Sequence, residues 1–91
     1  MPVPDIPVDW DAFMREFGIR LQRARHDAGL TQEEAAYASG LTRSHYQQLE
    51  KGRSRPGATA NPSLRTVIAL AETLAIPLAD LVGEPPSRRA G

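Results

Sequence analysis

Four basic side chains, Arg43, Lys51, Arg53 and Arg55, fall within residues 41–61 beside one acid, Glu50, a local balance of four minus one, or +3. The whole chain carries eleven basic and eleven acidic residues, so this charge is a patch and not a general property. Residues 1–40 hold seven acids against four bases, net −3, and residues 62–91 hold three of each. A total of zero excludes a protein that coats nucleic acid indiscriminately, because that behaviour needs a strong overall positive field. What remains is local attraction of an anion, although an Arg-Ser-Arg run taken alone is more often a solvated loop. Other chemistry is not in prospect. Cysteine is absent, which removes disulfides, thiolate metal sites and cysteine nucleophiles together. His26 and His45 stand in no metal-ligand spacing, and no nucleophile elbow or phosphate loop appears, so no catalytic residue, metal or cofactor is expected.

The patch has to be positioned by a single domain, since two cores within 91 residues would each be too small to offset chain entropy. Apolar residues at 41% and charged residues at 24% are ordinary for a globular protein, and no run of about eighteen apolar residues marks a membrane span. The start, MPVPDIPVDWD, lacks the basic and apolar regions of a secretory signal, so a cytoplasmic setting is expected. The organisation expected is an extended leader over residues 1–8, a folded domain over 9–83 and a flexible tail over 84–91.

Apolar residues at helical spacing set out the elements. Trp10, Phe13, Met14, Phe17, Leu21, Ala24 and Ala28 make one buried face of a long first helix that Gly29 caps. Thr31 and Glu34 form the capping box of a short second helix stopped at Gly40. Thr42 caps a third helix ending at Gly52. Residues 53–60 read as a polar loop. Asn61 then caps a fourth helix with Pro62 in its first position and a stripe of Leu64, Val67, Ile68, Ala71, Leu74 and Ala75. Pro77 opens a short fifth helix carrying Leu78, Leu81 and Val82. The expected fold class is all-α, with five helices and no strands. Trp10, Phe13 and Phe17 are expected in the core, with packing on a second subunit as the alternative for Trp10; Leu78, Leu81 and Val82 are expected in the core or on a dimer face; His26 and His45 are expected to be exposed.

Two short helices joined across Gly40, with small Ala36 in the first and Tyr46 and Leu49 in the second, have the spacing of a helix-turn-helix. Steeply crossing helices approach closely only over a small side chain, and the turn favours a residue tolerant of positive φ. The pattern R-L-x-x-x-R-x-x-x-G-L-T-Q-E-x-x-A-x-x-x-G-L from Arg20 to Leu41, then L-E-K-G to Gly52, P-S-L to Leu64 and L-A-x-x-L from Leu70 to Leu74, resembles the xenobiotic-response-element family. That family includes the lambdoid phage repressors and Cro proteins, and the resemblance runs from Leu21 to Leu81.

The resemblance implies a compact lambda-repressor-like domain that regulates transcription, as a repressor, by binding double-stranded DNA at an inverted-repeat operator as a homodimer. The third helix would enter the major groove, where base edges carry a distinguishable code. Arg43, Ser44 and Gln48 match the positions that reach base edges, with Gln47 at the margin of the groove. Arg43 would grip guanine and Gln48 would suit adenine. Gln32 matches the family's phosphate-contacting glutamine; Thr42, Lys51, Arg53, Ser54 and Arg55 would also lie beside phosphates. Arg25 and Glu50 match a structural ion pair between the first and third helices. Two positions depart from the pattern: Tyr46 replaces the usual isoleucine or valine, and Ala35 a common leucine. The expected compensation is a Tyr46 ring filling the space at Ala35, with its hydroxyl reaching the surface. Two other readings stay open, the antitoxin of a toxin–antitoxin pair and a protein-interaction module bridging a regulator and the transcription machinery.

Overall fold

The computed structural model describes residues 9–55 and 57–84; the expected leader over 1–8, Pro56 and the tail beyond Glu84 lie outside them. Helix α1 spans Trp10–Asp27, opened by the Asp9 carboxylate, which accepts from the Ala12 N–H at 2.9 Å. It closes on Gly29 at φ 72°, where the Leu30 N–H returns to the Arg25 carbonyl at 3.2 Å. Helix α2 is Gln32–Ala38 and starts on the full capping box: Thr31 Oγ1 accepts from the Glu34 N–H at 3.1 Å and Glu34 Oε1 from the Thr31 N–H at 2.8 Å. Gly40, at φ 75°, reverses the chain, and the Leu41 N–H closes the turn on the Ala36 carbonyl at 2.8 Å. Helix α3, Arg43–Lys51, is capped by Thr42, whose hydroxyl accepts from the His45 N–H at 3.0 Å, and ends on left-handed Gly52.

Beyond Gly52 the expectation of a loop without strands fails. Arg53–Arg55 (β1) and Ala58–Thr59 (β2) pair antiparallel as a hairpin, Arg53 opposite Thr59 and Arg55 opposite Ala58, with an irregular register between them. Strands of three and two residues are too short for apolar alternation to register in a sequence. The Thr59 hydroxyl donates to the Asp11 carboxylate, tying the hairpin to the start of α1.

Helix α4 is Leu64–Thr73 and is capped by Ser63, not Asn61: the Ser63 hydroxyl accepts from the Thr66 N–H at 3.1 Å. Pro62 therefore precedes the helix. Both Asn61 and Ser63 are competent caps, and Ser63 prevails where its hydroxyl is also 3.0 Å from Thr66 Oγ1. Ala75 leaves the expected stripe as an exposed residue at φ 54°, turning the chain toward α5, Leu78–Val82, for which Pro77 is the N-cap residue and not the first helical one.

The core gathers Met14, Phe17 and Leu21 of α1, Tyr46 and Leu49 of α3, Leu70 and Leu74 at the end of α4, and Leu81 of α5, with Ala35 and Ala36 of α2 admitting the close crossing. Phe13 is half-buried, whereas Trp10, Leu64, Ile68 and Leu78 are exposed. The approach of α1 to α3 is tightest at Gly18, where a Cβ would overlap the Glu50 carbonyl oxygen. Gly52 is similarly close: a Cβ there would stand 2.7 Å from the Met14 carbonyl oxygen. Backbone therefore meets backbone at both ends of this contact, and α3 is seated on α1 with little freedom to tilt.

Candidate nucleic-acid interface

The inner face of α3 is made by Tyr46 at 0% exposure and Leu49 at 1%, and its outer face by Arg43, Ser44, His45 and Lys51, all exposed. Gln47 and Gln48 share the outer side but are half-buried. Arg43 and Ser44 open the helix and Lys51 closes it, so the two cations stand at opposite ends of the outer face. Arg53 follows, exposed, in β1; the side chains of Ser54 and Arg55 lie outside what is described. His26 is exposed as well.

Behind this surface lies a polar cluster. Arg25 of α1 donates from Nε to Glu50 Oε2 at 2.6 Å and from Nη2 to Oε1 at 3.3 Å, while Nη1 donates to the Leu30 carbonyl at 3.0 Å. Arg25 Nη2 also lies 3.2 Å from the His26 Nε2. Both partners of the pair are at least nine-tenths buried at the side chain, 9% and 6% exposed. Hydrogen bonding to Glu50 raises the Arg25 guanidinium above its ordinary value despite burial. Burial alone would push the Glu50 carboxyl up, but its hydrogen bonds, that from Arg25 foremost, outweigh it and hold the group below the usual carboxylate value.

Gln32 joins this cluster. Its Nε2 donates to Glu50 Oε1 at 2.9 Å and its Oε1 accepts from Gln47 Nε2 at 3.1 Å. The first residue of α2 is thus linked to both the inner and the outer side of α3. As folded, Gln32 spends its polar atoms within the protein, and Gln47 is tethered, whereas Arg43 makes no ion pair among the described residues.

Tyr46 corrects the expectation that its hydroxyl reaches the surface. The whole residue is buried, its hydroxyl has no hydrogen-bond partner among the described residues, and burial raises the phenol well above its ordinary value. The cause is the depth of the site: the close crossing at Gly18 draws this turn of α3 inward, leaving the ring end beside Arg25 and Glu50 instead of water.

Sequence reasoning passed over Gly18 and the Gln32–Glu50 link. Gly18 did carry a signal, since glycine inside an amphipathic helix costs about 1 kcal/mol relative to alanine and points to a close backbone approach. No such signal exists for Gln32, whose partner is eighteen residues away. Among the described residues no cluster of three or more metal-ligating side chains occurs, and no helix is long and apolar enough to cross a membrane.

The helix-turn-helix domain profile matches residues 16–84. The chain belongs to the helix-turn-helix family of DNA-binding transcriptional regulators. Among relatives of this regulator, an uncharacterized HTH-type transcriptional regulator, y4dJ of Sinorhizobium fredii, is 35% identical over 65 residues, covering 71% of this chain and 77% of the relative. The restriction-modification controller protein C.AhdI of Aeromonas hydrophila superposes with a TM-score of 0.67 at 38% identity, covering 77% of this chain and 97% of that one. The clp gene regulator ClgR of Corynebacterium glutamicum follows at 0.66 and 26%, covering 77% and 83%. The hypothetical transcription factor NHTF from Neisseria shares the fold at a TM-score of 0.69 and 22% identity, covering 89% and 84%.

Proposed function

We propose that this regulator acts in the cytoplasm as a twofold homodimer that lays α3 in the major groove of an inverted-repeat operator and represses transcription by occluding a promoter, without enzymatic activity. One observation carries the reading. The helix is immobilised from behind by Gly18, Leu49 and the Arg25–Glu50 pair, while Arg43 and Ser44 stand exposed at its start. Such a surface is preorganised, so that little ordering cost attends contact with a duplex. Arg43 reads guanine through O6 and N7, Gln48 reads adenine, and Ser44 and Gln47 fill the groove beside them. Thr42, Lys51, Arg53, Ser54 and Arg55 contact phosphates and supply affinity without sequence information. Gln32 joins them with the amide hydrogen that its two internal bonds leave over.

Selection from a random duplex library at about 150 mM salt, for the wild type and Arg43→Ala in parallel, tests this. The expected product is an inverted repeat whose halves lie roughly 34 Å apart, with guanine in each, relaxed at that base in the variant. Absence of any enriched sequence for the wild type overturns the reading and favours a protein-interaction module. Were Lys51, Arg53 and Arg55 all on phosphates in both subunits, log K would fall with log salt at a slope of about −5, whereas a slope of about −2 contradicts that contact set. The 38% identity to C.AhdI over nearly its whole length favours a narrower second reading, control of restriction–modification genes, tested by footprinting the DNA upstream of such genes.

A further inference from the structure

Helix α4 buries Val67, Leu70 and Ala71 and turns a second sector outward that no described element covers. Leu64, Arg65, Ile68, Ala69 and Glu72 line a shallow concavity there, Leu64 at 69% exposure and Ile68 at 39%. At 100° per residue these five positions fall within one side of the helix, with Arg65 and Glu72 nearly in line. Seven residues apart, those two stand roughly 10 Å from each other along the axis, too far to pair within one chain. Neither has an ion-pair partner among the described residues.

We infer that this face of α4 is the dimer interface, and that its occupant is the same face of a second copy, packed antiparallel across a twofold axis passing between Ile68 and Ala69. The proposal rests on the homodimer reading above and gives it a surface. An isologous contact brings each patch onto itself, so a patch must be self-complementary. In an antiparallel pair of helices centred midway between positions 68 and 69, Arg65 of one copy faces Glu72 of the other, and Glu72 faces Arg65 in turn. The charges that cannot meet within a chain meet twice between chains. Ile68 and Ala69 stand on opposite flanks of the Arg65–Glu72 line, and the twofold keeps each flank, so Ile68 meets Ile68 of the second copy along one edge of the seam and the small Ala69 meets Ala69 along the other. A parallel arrangement would set Arg65 against Arg65 and Glu72 against Glu72, and is excluded by repulsion.

The stripe is short, about 15 Å for ten residues, against the roughly 800 Å² per partner that a stable interface buries. The dimer is therefore weak in solution and is completed on the operator, where both half-sites hold the two copies together.

Charge reversal tests the arrangement, measured by sedimentation equilibrium on the full chain, with thermal unfolding as a check that these exposed substitutions leave the fold intact. The wild type is expected to dimerise reversibly. Arg65→Glu and Glu72→Arg, each placing two like-charged pairs across the axis, are expected to weaken dimerisation at least tenfold, and the double variant to restore it to near the wild-type value. Ile68→Lys is expected to leave a monomer. A wild type that stays monomeric, single variants that dimerise as well as the wild type, or a double variant that fails to recover, each overturns the interface. A dimer insensitive to all of these but broken by Trp10→Lys overturns it in favour of the apolar cleft between Trp10, Phe13 and Val67. Arg43→Ala separates this from the function it rests on: it should abolish guanine selection while leaving the sedimentation of the free protein unchanged.

Discussion

The two faces of α3 follow opposite rules. The inner side is fixed from several directions: Tyr46 and Leu49 by the core, Glu50 by Arg25 and Gln32, and the backbone by the close contacts of Gly18 with Glu50 and of Gly52 with Met14. On the outer face Arg43, Ser44 and His45 are exposed, and none of their side chains is held by a hydrogen bond within the protein among the described residues. On the function proposed above, rigidity and recognition fall on different sides of one nine-residue helix. The lesson is that the exposed side chains of such a helix can be exchanged without changing how it is held, because they contribute almost nothing to its seating.

The largest effect should come from the inner side. Arg25→Ala leaves Glu50 charged and buried with only Gln32 for company, and breaking a buried pair in this way costs about 3–5 kcal/mol. In a domain of this size that is a drop of roughly 15 °C or more in melting temperature, with operator binding lost in parallel as α3 loosens. Thermal and urea unfolding measure it. A loss under about 1 kcal/mol would mean that packing alone seats the helix and that the contrast between the faces does not lie in the polar cluster.

Arg43→Ala is the matching change on the outer side. It should lower affinity for the preferred site by about 1–3 kcal/mol, roughly 5- to 150-fold, with unfolding free energy within about 0.5 kcal/mol of wild type. Binding titrations and urea unfolding on the same preparation separate the two numbers. Matched losses in both would collapse the distinction, since the outer residue would then be structural.

Acid offers a graded version of the first test. The Glu50 carboxyl titrates lower in the folded chain than in the unfolded one, so the unfolded state binds the proton first. Its stabilising contribution is complete above the ordinary carboxylate value and is lost as pH falls through the lowered folded value. Glu34, held low by the N–H of Thr31 in the capping box, shifts in the same direction. Melting temperature followed downward from about pH 7 should therefore fall in the wild type and fall less steeply in Glu50→Gln, which starts from a lower plateau. Parallel curves would assign the acid loss to Glu34 and the other carboxylates, not to the cluster beneath α3.

The difference between the faces also decides what a sequence can convey. The caps at Thr31, Thr42 and the glycines after α1, α2 and α3 are local, each depending on residues within four or five positions, and they are legible along with all five helices. Ser63 against Asn61 is a contest between two sound local signals, which only the packing of α4 resolves. The hairpin at Arg53–Thr59 is invisible to periodicity because it is too short to alternate. Of the site, the residue types facing outward follow from helical spacing once α3 is placed. The Gln47–Gln32–Glu50 chain does not, being a meeting of two helices. Leu64 and Ile68 carry the same apolar signal as Val67, yet stand exposed because no described element covers that side of α4. Apolar spacing reports a face that needs a partner without saying whether the partner is in the same chain.

The smallest expected effect probes the one inner-face group left without a partner. Tyr46 is wholly buried, and its hydroxyl makes no hydrogen bond among the described residues although it lies beside Arg25 and Glu50. A buried hydroxyl without a partner is a desolvation cost with no return, so removing it should be neutral or favourable. The same change opens a void the size of one oxygen atom and forfeits a few dispersion contacts. These terms oppose each other, and Tyr46→Phe should unfold within about 1 kcal/mol of the wild type, on the stabilised side if the desolvation term is the larger. Operator affinity should not change, because the ring that packs α3 is retained. A loss of more than about 1 kcal/mol would reveal that the phenol donates to Glu50 in solution. The inner face would then hold its carboxylate by three side chains where Arg25 and Gln32 now account for two, and Tyr46 would pass from packing residue to member of the polar cluster that seats the helix.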